Sequence, residues 1–182
     1  MRRFTSREEM LSLINEMDLQ TGLELGVLRG EFSEKILKLS NLKMLYLVDA
    51  WRKLGEYHDI SNIDDKKHEA NLCITKVRMK PYQDRYTILQ MTSDEAMKEF
   101  PDNSLDFVYI DASHYYEAVK QHLNYWYTKV RTGGIFCGHD YFDVVRFEGT
   151  FEVKKAVDEF AQEKGLIISS TNEGWCSWYT IK

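Results

Sequence analysis

The chain has 182 residues, 43% hydrophobic and 29% charged, with ten glycines and two prolines; this excludes a disordered chain and suffices for one core, so residues 1–182 read as a single domain. A formal net charge of −5 without a clustered excess of Lys and Arg excludes a protein whose main work is gripping phosphate backbones. Three cysteines (Cys73, Cys137, Cys176) without CxxC spacing give neither a disulfide framework nor a zinc site, and no signal peptide or membrane-length apolar run is present.

These absences predict a soluble cytoplasmic protein with no nucleic-acid or membrane partner, its cysteines serving as buried or half-buried hydrophobes. Along the chain, SREEMLSLINEM at 6–17 carries a capping box, Ser6 with Glu9, ahead of Met10, Leu13, Ile14 and Met17 at helical spacing. A leading helix is expected there. GLELGV (22–27), FSEKILKL (32–39) and KMLYLVDA (43–50) then read as strand, helix and strand, a βαβ unit. An irregular polar stretch follows from residue 51, and KHEANLCITKVRM is the next helix.

RYTILQM, SLDFVYID and GGIFCGHD read as strands, with the helices SDEAMKEF and YYEAVKQHLNYWYTKV between them. After a loop at 141–150, EVKKAVDEFAQEK is a helix stopped by Gly165, and LIISST and WCSWYTIK are closing strands joined by the short NEG turn. Strands alternating with helices predict an α/β fold, a mainly parallel sheet covered by helices on both faces, with an antiparallel pair at one edge. In such sheets ligands bind beyond the carboxyl ends of the strands. Glu24, Gly26, Asp49, Ser93, Asp111, His114, His139 and Asp140 all fall at such ends.

ELGVLRGEFS at 24–33 places Gly26 and Gly30 at a strand-to-helix turn, where glycine permits a positive φ or close approach of a ligand. A bare βα turn is the alternative. The dinucleotide pattern G-x-G-x-x-G would need glycine at Leu28, which disfavours an NAD-type oxidoreductase. Glu24 and Asp49 instead suit a ligand with an amino group and a ribose, because one carboxylate can accept both vicinal hydroxyls.

LELGVLRGEFS, Asp49, TSDEA, LDFVYIDASHYYEAVKQHLNYW and GGIFCGHDY, in that order, resemble class I S-adenosylmethionine-dependent methyltransferases. The YIDASHYY, GGI and HDY half is similar to the small families related to macrolide-sugar and catechol-type O-methyltransferases. The resemblance covers about residues 20–182 and implies a Rossmann-like, seven-stranded sheet with a reversed last strand. It implies that Glu24, Gly26, Val27, Gly30 and Ser33 line the methionine end of S-adenosylmethionine and that Asp49 takes the ribose. Ala50 and Trp51 flank the adenine, whose amino edge meets Thr92 and Ser93. Trp51 either stacks on the purine or is an ordinary packed aromatic.

In the catechol-type families the aspartate matching Asp111 and a later Asp-Asn pair bind a divalent cation; here Asp140 matches the second aspartate and Tyr141 stands where the asparagine would be. Two carboxylates suit Mg²⁺ or Ca²⁺, and a histidine joining them tilts the choice toward Mn²⁺, Fe²⁺ or Zn²⁺. Asp111 also adjoins the cofactor. His114 or His139 is the general base, and sequence does not choose between them. His58, His68 and His122 read as surface or packing residues.

The expected reaction is methyl transfer to a hydroxyl of a small-molecule acceptor, with nitrogen the lesser alternative and a regulatory cofactor-binding module the rival to catalysis. Acceptor selectivity is expected to reside in residues 52–68 and 141–150. A homodimer is the prior from symmetry alone.

Overall fold

Seven strands hydrogen-bond into one sheet in the computed structural model, which describes residues 2–55 and 59–182; His58 lies outside them. The strands are β1 (Thr21–Leu25), β2 (Met44–Asp49), β3 (Tyr86–Gln90), β4 (Leu105–Ile110), β5 (Val130–Gly138), β8 (Ser169–Ser170) and β9 (Trp178–Ile181); β6 (Asp143–Arg146) and β7 (Gly149–Glu152) form a separate hairpin. The order is β3-β2-β1-β4-β5-β9-β8, parallel from β3 to β5, with β9 antiparallel to both β5 and β8. The expected seven-stranded, mostly parallel sheet with a reversed last strand is therefore present.

Alternation along each strand divides the core between two faces. Phe107 and Tyr109 of β4 and Ile135 and Cys137 of β5 point to one side. There they meet α1 (Arg7–Met10), α2 (Ser12–Glu16), α3 (Glu31–Leu39) and α4 (Asp65–Met79) through Met10, Ile14, Ile36 and Leu72. Val108, Ile110 and Phe136 face the other side. They pack on α5 (Ser93–Ala96), α6 (Tyr116–Lys129) and α7 (Val153–Lys164) through Ala96, Leu123, Trp126 and Phe160. Strands covered on both faces carry unbroken apolar runs, which is why FVYI reads as it does.

Three local expectations change. The leading helix divides at Leu11, which is fully buried and donates to Glu8 O three residues back, tightening the turn. Residues 143–152 are a hairpin rather than loop: β-forming Val144, Val145, Thr150 and Phe151 pair across the Phe147–Glu148 turn. Cys73 is exposed on α4, whereas Cys137 is buried and Cys176 half-buried. Among the described residues no helix is long and apolar enough to cross a membrane.

Candidate active site

The chain winds outward from β1 through β2 to β3 and then returns to β4 on the other side of β1, so the winding reverses between β1 and β4. Beyond the carboxyl ends of these strands lies a cavity of about 530 Å³. Asp111 N donates to Leu25 O at 2.7 Å, which locks the two strand ends together. Gly26, at φ 87°, sits so close to this junction that an added Cβ would run into the Asp111 carbonyl. Gly26→Ala should therefore lower the melting temperature by several degrees, from positive-φ strain of about 1–2 kcal/mol plus the clash, and should abolish nucleoside binding; a thermal melt and a titration check both.

The turn that follows is held from below by Asp49. Its Oδ2 accepts from Val27 N (3.0 Å) and Leu28 N (2.9 Å), and its Oδ1 accepts from Trp51 N (2.8 Å). Leu28 (φ 52°) and Trp51 (φ 41°) are held in the left-handed region, the kind of cost that clusters at ligand sites. With about four acceptor positions on a carboxylate and three taken by backbone N–H groups, Asp49 keeps capacity toward the cavity. Gly30 (φ 71°) caps α3 against Thr75 of α4.

Glu24 lies on the α3 face of β1 and is 1% exposed. Ser33 donates its hydroxyl to Glu24 Oε2. Burial, and secondarily the charge of Asp111, push the Glu24 carboxyl up to about 8 despite that bond. At the other end of the cavity Thr92 caps α5 with Glu95, Ser93 accepts from Trp126 Nε1 (2.8 Å), and Asp94 accepts from Gln121 Nε2 (3.0 Å). Trp51 does not line the cavity; it is 2% exposed in the core and donates from Nε1 to Leu28 O (2.8 Å), so the purine-stacking alternative falls and the packing one holds. Ala50 does line it.

At the Asp111 end, charged groups crowd together. His114 Nδ1 meets Asp59 Oδ2 at 2.9 Å and its Nε2 meets Asp140 Oδ2 at 3.0 Å. Burial alone would lower the His114 pKa, but hydrogen bonds to Asp140 and Asp59 outweigh it and carry the ring up to about 10. With both ring nitrogens engaged by carboxylates, His114 bridges Asp59 and Asp140, an arrangement that favours a clamp over a general base. His139 Nδ1 lies 3.0 Å from Asp140 Oδ1 and 3.7 Å from Asp111 Oδ2, and its Nε2 makes no hydrogen bond among the described residues. Burial lowers its pKa, yet Asp140 and Asp111 bring it above the ordinary imidazole range. Asp140 is held below the usual carboxylate range, burial being outweighed by the two histidines, while burial raises Asp111.

Asp111, His139 and Asp140 each bring one ligand atom within 4.8 Å of the others, and the buried Asp140 Oδ1 has the His139 ring nitrogen close by at 3.0 Å but no well-aligned hydrogen bond among the described residues. This donor set fits a divalent cation. Tyr141 does not join it, since its hydroxyl donates to Asp158 on α7.

Of the residues expected from the sequence, Glu24, Gly26, Val27, Asp49, Ala50, Thr92, Ser93, Asp111 and His114 line the cavity; Ser33 reaches it through Glu24, while Gly30 and Trp51 stand behind the wall. Sequence reasoning missed Arg7, Asp59 and Asp94. His68 and His122 take the packing alternative rather than the surface one, both being buried; both also line the cavity, and burial pushes His122 down to about 4. Their presence in helical runs concealed this.

The model of one protein family, described as a methyltransferase domain, matches residues 23–141, more than half of the chain. No curated protein matches the sequence. Among solved structures, an O-methyltransferase from Bacillus cereus in complex with SAH superposes with TM-score 0.68 at 13% identity, covering 96% of this chain and 80% of that one. A precorrin-6y C5,15-methyltransferase from Geobacter metallireducens gives 0.64 at 14%, covering 96% and 87%. A spermidine synthase from Thermotoga maritima gives 0.63 at 14%, covering 97% and 60%. Such distant likenesses establish the fold alone.

Proposed function

The chain belongs to the methyltransferase-domain family, and we propose that it transfers the methyl group of S-adenosylmethionine to a hydroxyl oxygen of a small molecule. One observation carries this reading: a single cavity has Ser93 and Asp94 at one end, Asp49 at its waist and Glu24 with Asp111 at the other end, beside His139 and Asp140. Adenine takes the Thr92–Asp94 end, one ribose hydroxyl takes the free position on Asp49, and the ammonium takes Glu24. The sulfonium methyl then points toward Asp111, where the acceptor must lie.

Methyl transfer is an in-line displacement, so alignment supplies most of the rate and proton removal the rest. The Asp140 carboxylate on His139 Nδ1 fixes the proton there and leaves Nε2 as the proton acceptor, with the acceptor's C–O bond to methyl forming as the S–CH₃ bond breaks. Alternatively, Asp111, His139 and Asp140 would hold a divalent cation; His139 would then be a ligand rather than the base, and the cation would supply the activation by lowering the pKa of the acceptor hydroxyl. Phe151 stacks on His114 with ring centroids 4.5 Å apart, and Phe142 and Trp175 pack on Phe151. That aromatic cluster, with Phe151 on the hairpin, lies behind His114 rather than on the cavity wall, and its nearness to the Asp111 end supports an acceptor with a flat apolar body.

The test is incubation with methyl-labelled S-adenosylmethionine and a panel of phenols, catechols and sugars, with Mg²⁺, with Mn²⁺ and with EDTA. Label is expected on oxygen. Transfer only to nitrogen overturns the acceptor class, cofactor binding without any transfer favours a regulatory module, and undiminished rates in EDTA remove the cation.

A further inference from the structure

We propose that Arg7 is the carboxylate clamp of this cavity, so that together with Glu24 it selects a nucleoside bearing an intact α-amino acid and rejects the decarboxylated one. The inference rests on the methyl-donor reading above and adds a specificity residue that lies outside the matched span 23–141.

Arg7 opens α1 and reaches the cavity at the end formed by Glu24, Gly26, Phe32 and Asp111. Its guanidinium lies over the Phe32 ring, with Cζ 4.3 Å from the centroid, a contact that fixes the plane of the fork. The backbone supports it, because Arg7 N donates to Glu173 Oε1 at 2.6 Å. The side chain is 22% exposed, and its hydrogen bond to a carboxylate is long, Nη1 to Asp111 Oδ2 at 3.5 Å. The Tyr109 phenol is its other neighbour. A guanidinium has five N–H donors, more than these contacts use, and Arg7 lines the cavity.

The opposite charges are matched to one ligand end. Among the described residues Glu24 is a buried acceptor with no cation in hydrogen-bond reach, and Arg7 is a half-buried donor whose one carboxylate partner, Asp111, stands at the long distance of 3.5 Å. An ammonium and a carboxylate on a shared carbon satisfy both at once. A ligand with the amine alone would leave Arg7 unpaired, a cost that falls on the complex. The competing account makes Arg7 merely the countercharge of Asp111. In that case its removal would weaken every nucleoside alike.

Calorimetric titration of the full chain with S-adenosylmethionine and with decarboxylated S-adenosylmethionine separates the two accounts. The wild-type protein should prefer the intact cofactor by roughly 10- to 100-fold, the value of a charge-assisted bidentate pair. Arg7→Gln should remove that preference by weakening the intact cofactor and leave the decarboxylated one within about twofold of its original affinity, which also reports a folded cavity. Arg7→Lys, keeping charge without the fork, should fall between them. Glu24→Gln should weaken both ligands, since both carry the amine. Equal affinities in the wild type, or equal effects of Arg7→Gln on the two ligands, overturn the assignment of Arg7 while sparing the methyl-donor reading. Failure of the wild-type protein to bind either ligand overturns that reading and this one with it.

Discussion

Replacing His139 with alanine should lower kcat for methyl transfer by roughly 10²- to 10⁴-fold while the affinity for S-adenosylmethionine stays near the wild-type value, because general-base catalysis is worth about that much and the ring is not part of the cofactor cavity wall. Initial rates against both substrates measure it. The same substitution at His114 should act differently. His114 joins Asp140 to Asp59, and the Asp59–Asn62 segment supplies Asp59, Ser61 and Asn62 to the cavity wall. His114→Gln takes away the charge that both carboxylates share, so it should raise KM for the cofactor more than it lowers kcat. A His114→Gln enzyme with crippled kcat and unchanged KM, beside an active His139→Ala enzyme, would reverse the two assignments.

The pH profile follows from the same geometry. Only the neutral ring accepts a proton, and the His139 pKa lies above the ordinary imidazole range. Turnover should therefore climb with pH through an apparent pKa higher than that of a free imidazole.

The choice between the histidines was beyond the sequence for a definite reason. Both stand within three residues of an aspartate, and what separates them is Asp59, a residue in an irregular polar stretch with no periodicity to place it. Its arrival depends on a tertiary contact, the bridge from Asp59 to Gly149 in the hairpin that the sequence reading took for loop. The strand ends were legible because two properties coincide at each: an apolar run long enough for a doubly covered strand, then a polar residue where that run stops. Trp51 illustrates the limit, since an aromatic next to a predicted ligand residue reads the same whether it faces ligand or core. Its left-handed backbone turns the indole inward, and only the fold reveals it. Arg7 did leave a trace. It is a cation at the first helical position, where helices prefer acidic residues, and such a misfit points to a role outside the helix.

Replacing Glu24 with glutamine should strengthen the unliganded fold at alkaline pH and weaken cofactor binding. The folded-state pKa is about 8 against an ordinary 4.5, so between those values the native protein keeps a proton that the unfolded chain has released. Stability then falls as pH rises through this window, by up to about 1.4 kcal/mol per unit, and is unaffected by this group below it. Glutamine can still accept from Ser33 and never ionises. The variant should melt with the wild type at pH 4.5 and several degrees above it at pH 8.5. Binding carries the opposite sign. The ligand ammonium needs the ionised carboxylate, so wild-type affinity for S-adenosylmethionine should increase as pH rises toward 8, with release of a proton on binding. The variant should bind roughly 10- to 100-fold more weakly with no such slope. Differential scanning calorimetry with titrations in buffers of different ionisation enthalpy measures both effects. Unchanged affinity in Glu24→Gln would show that this buried carboxylate does not meet the ammonium, whatever the melting curves do. Both effects together would mean that the fold tolerates a costly buried acid because the cofactor supplies its missing cation.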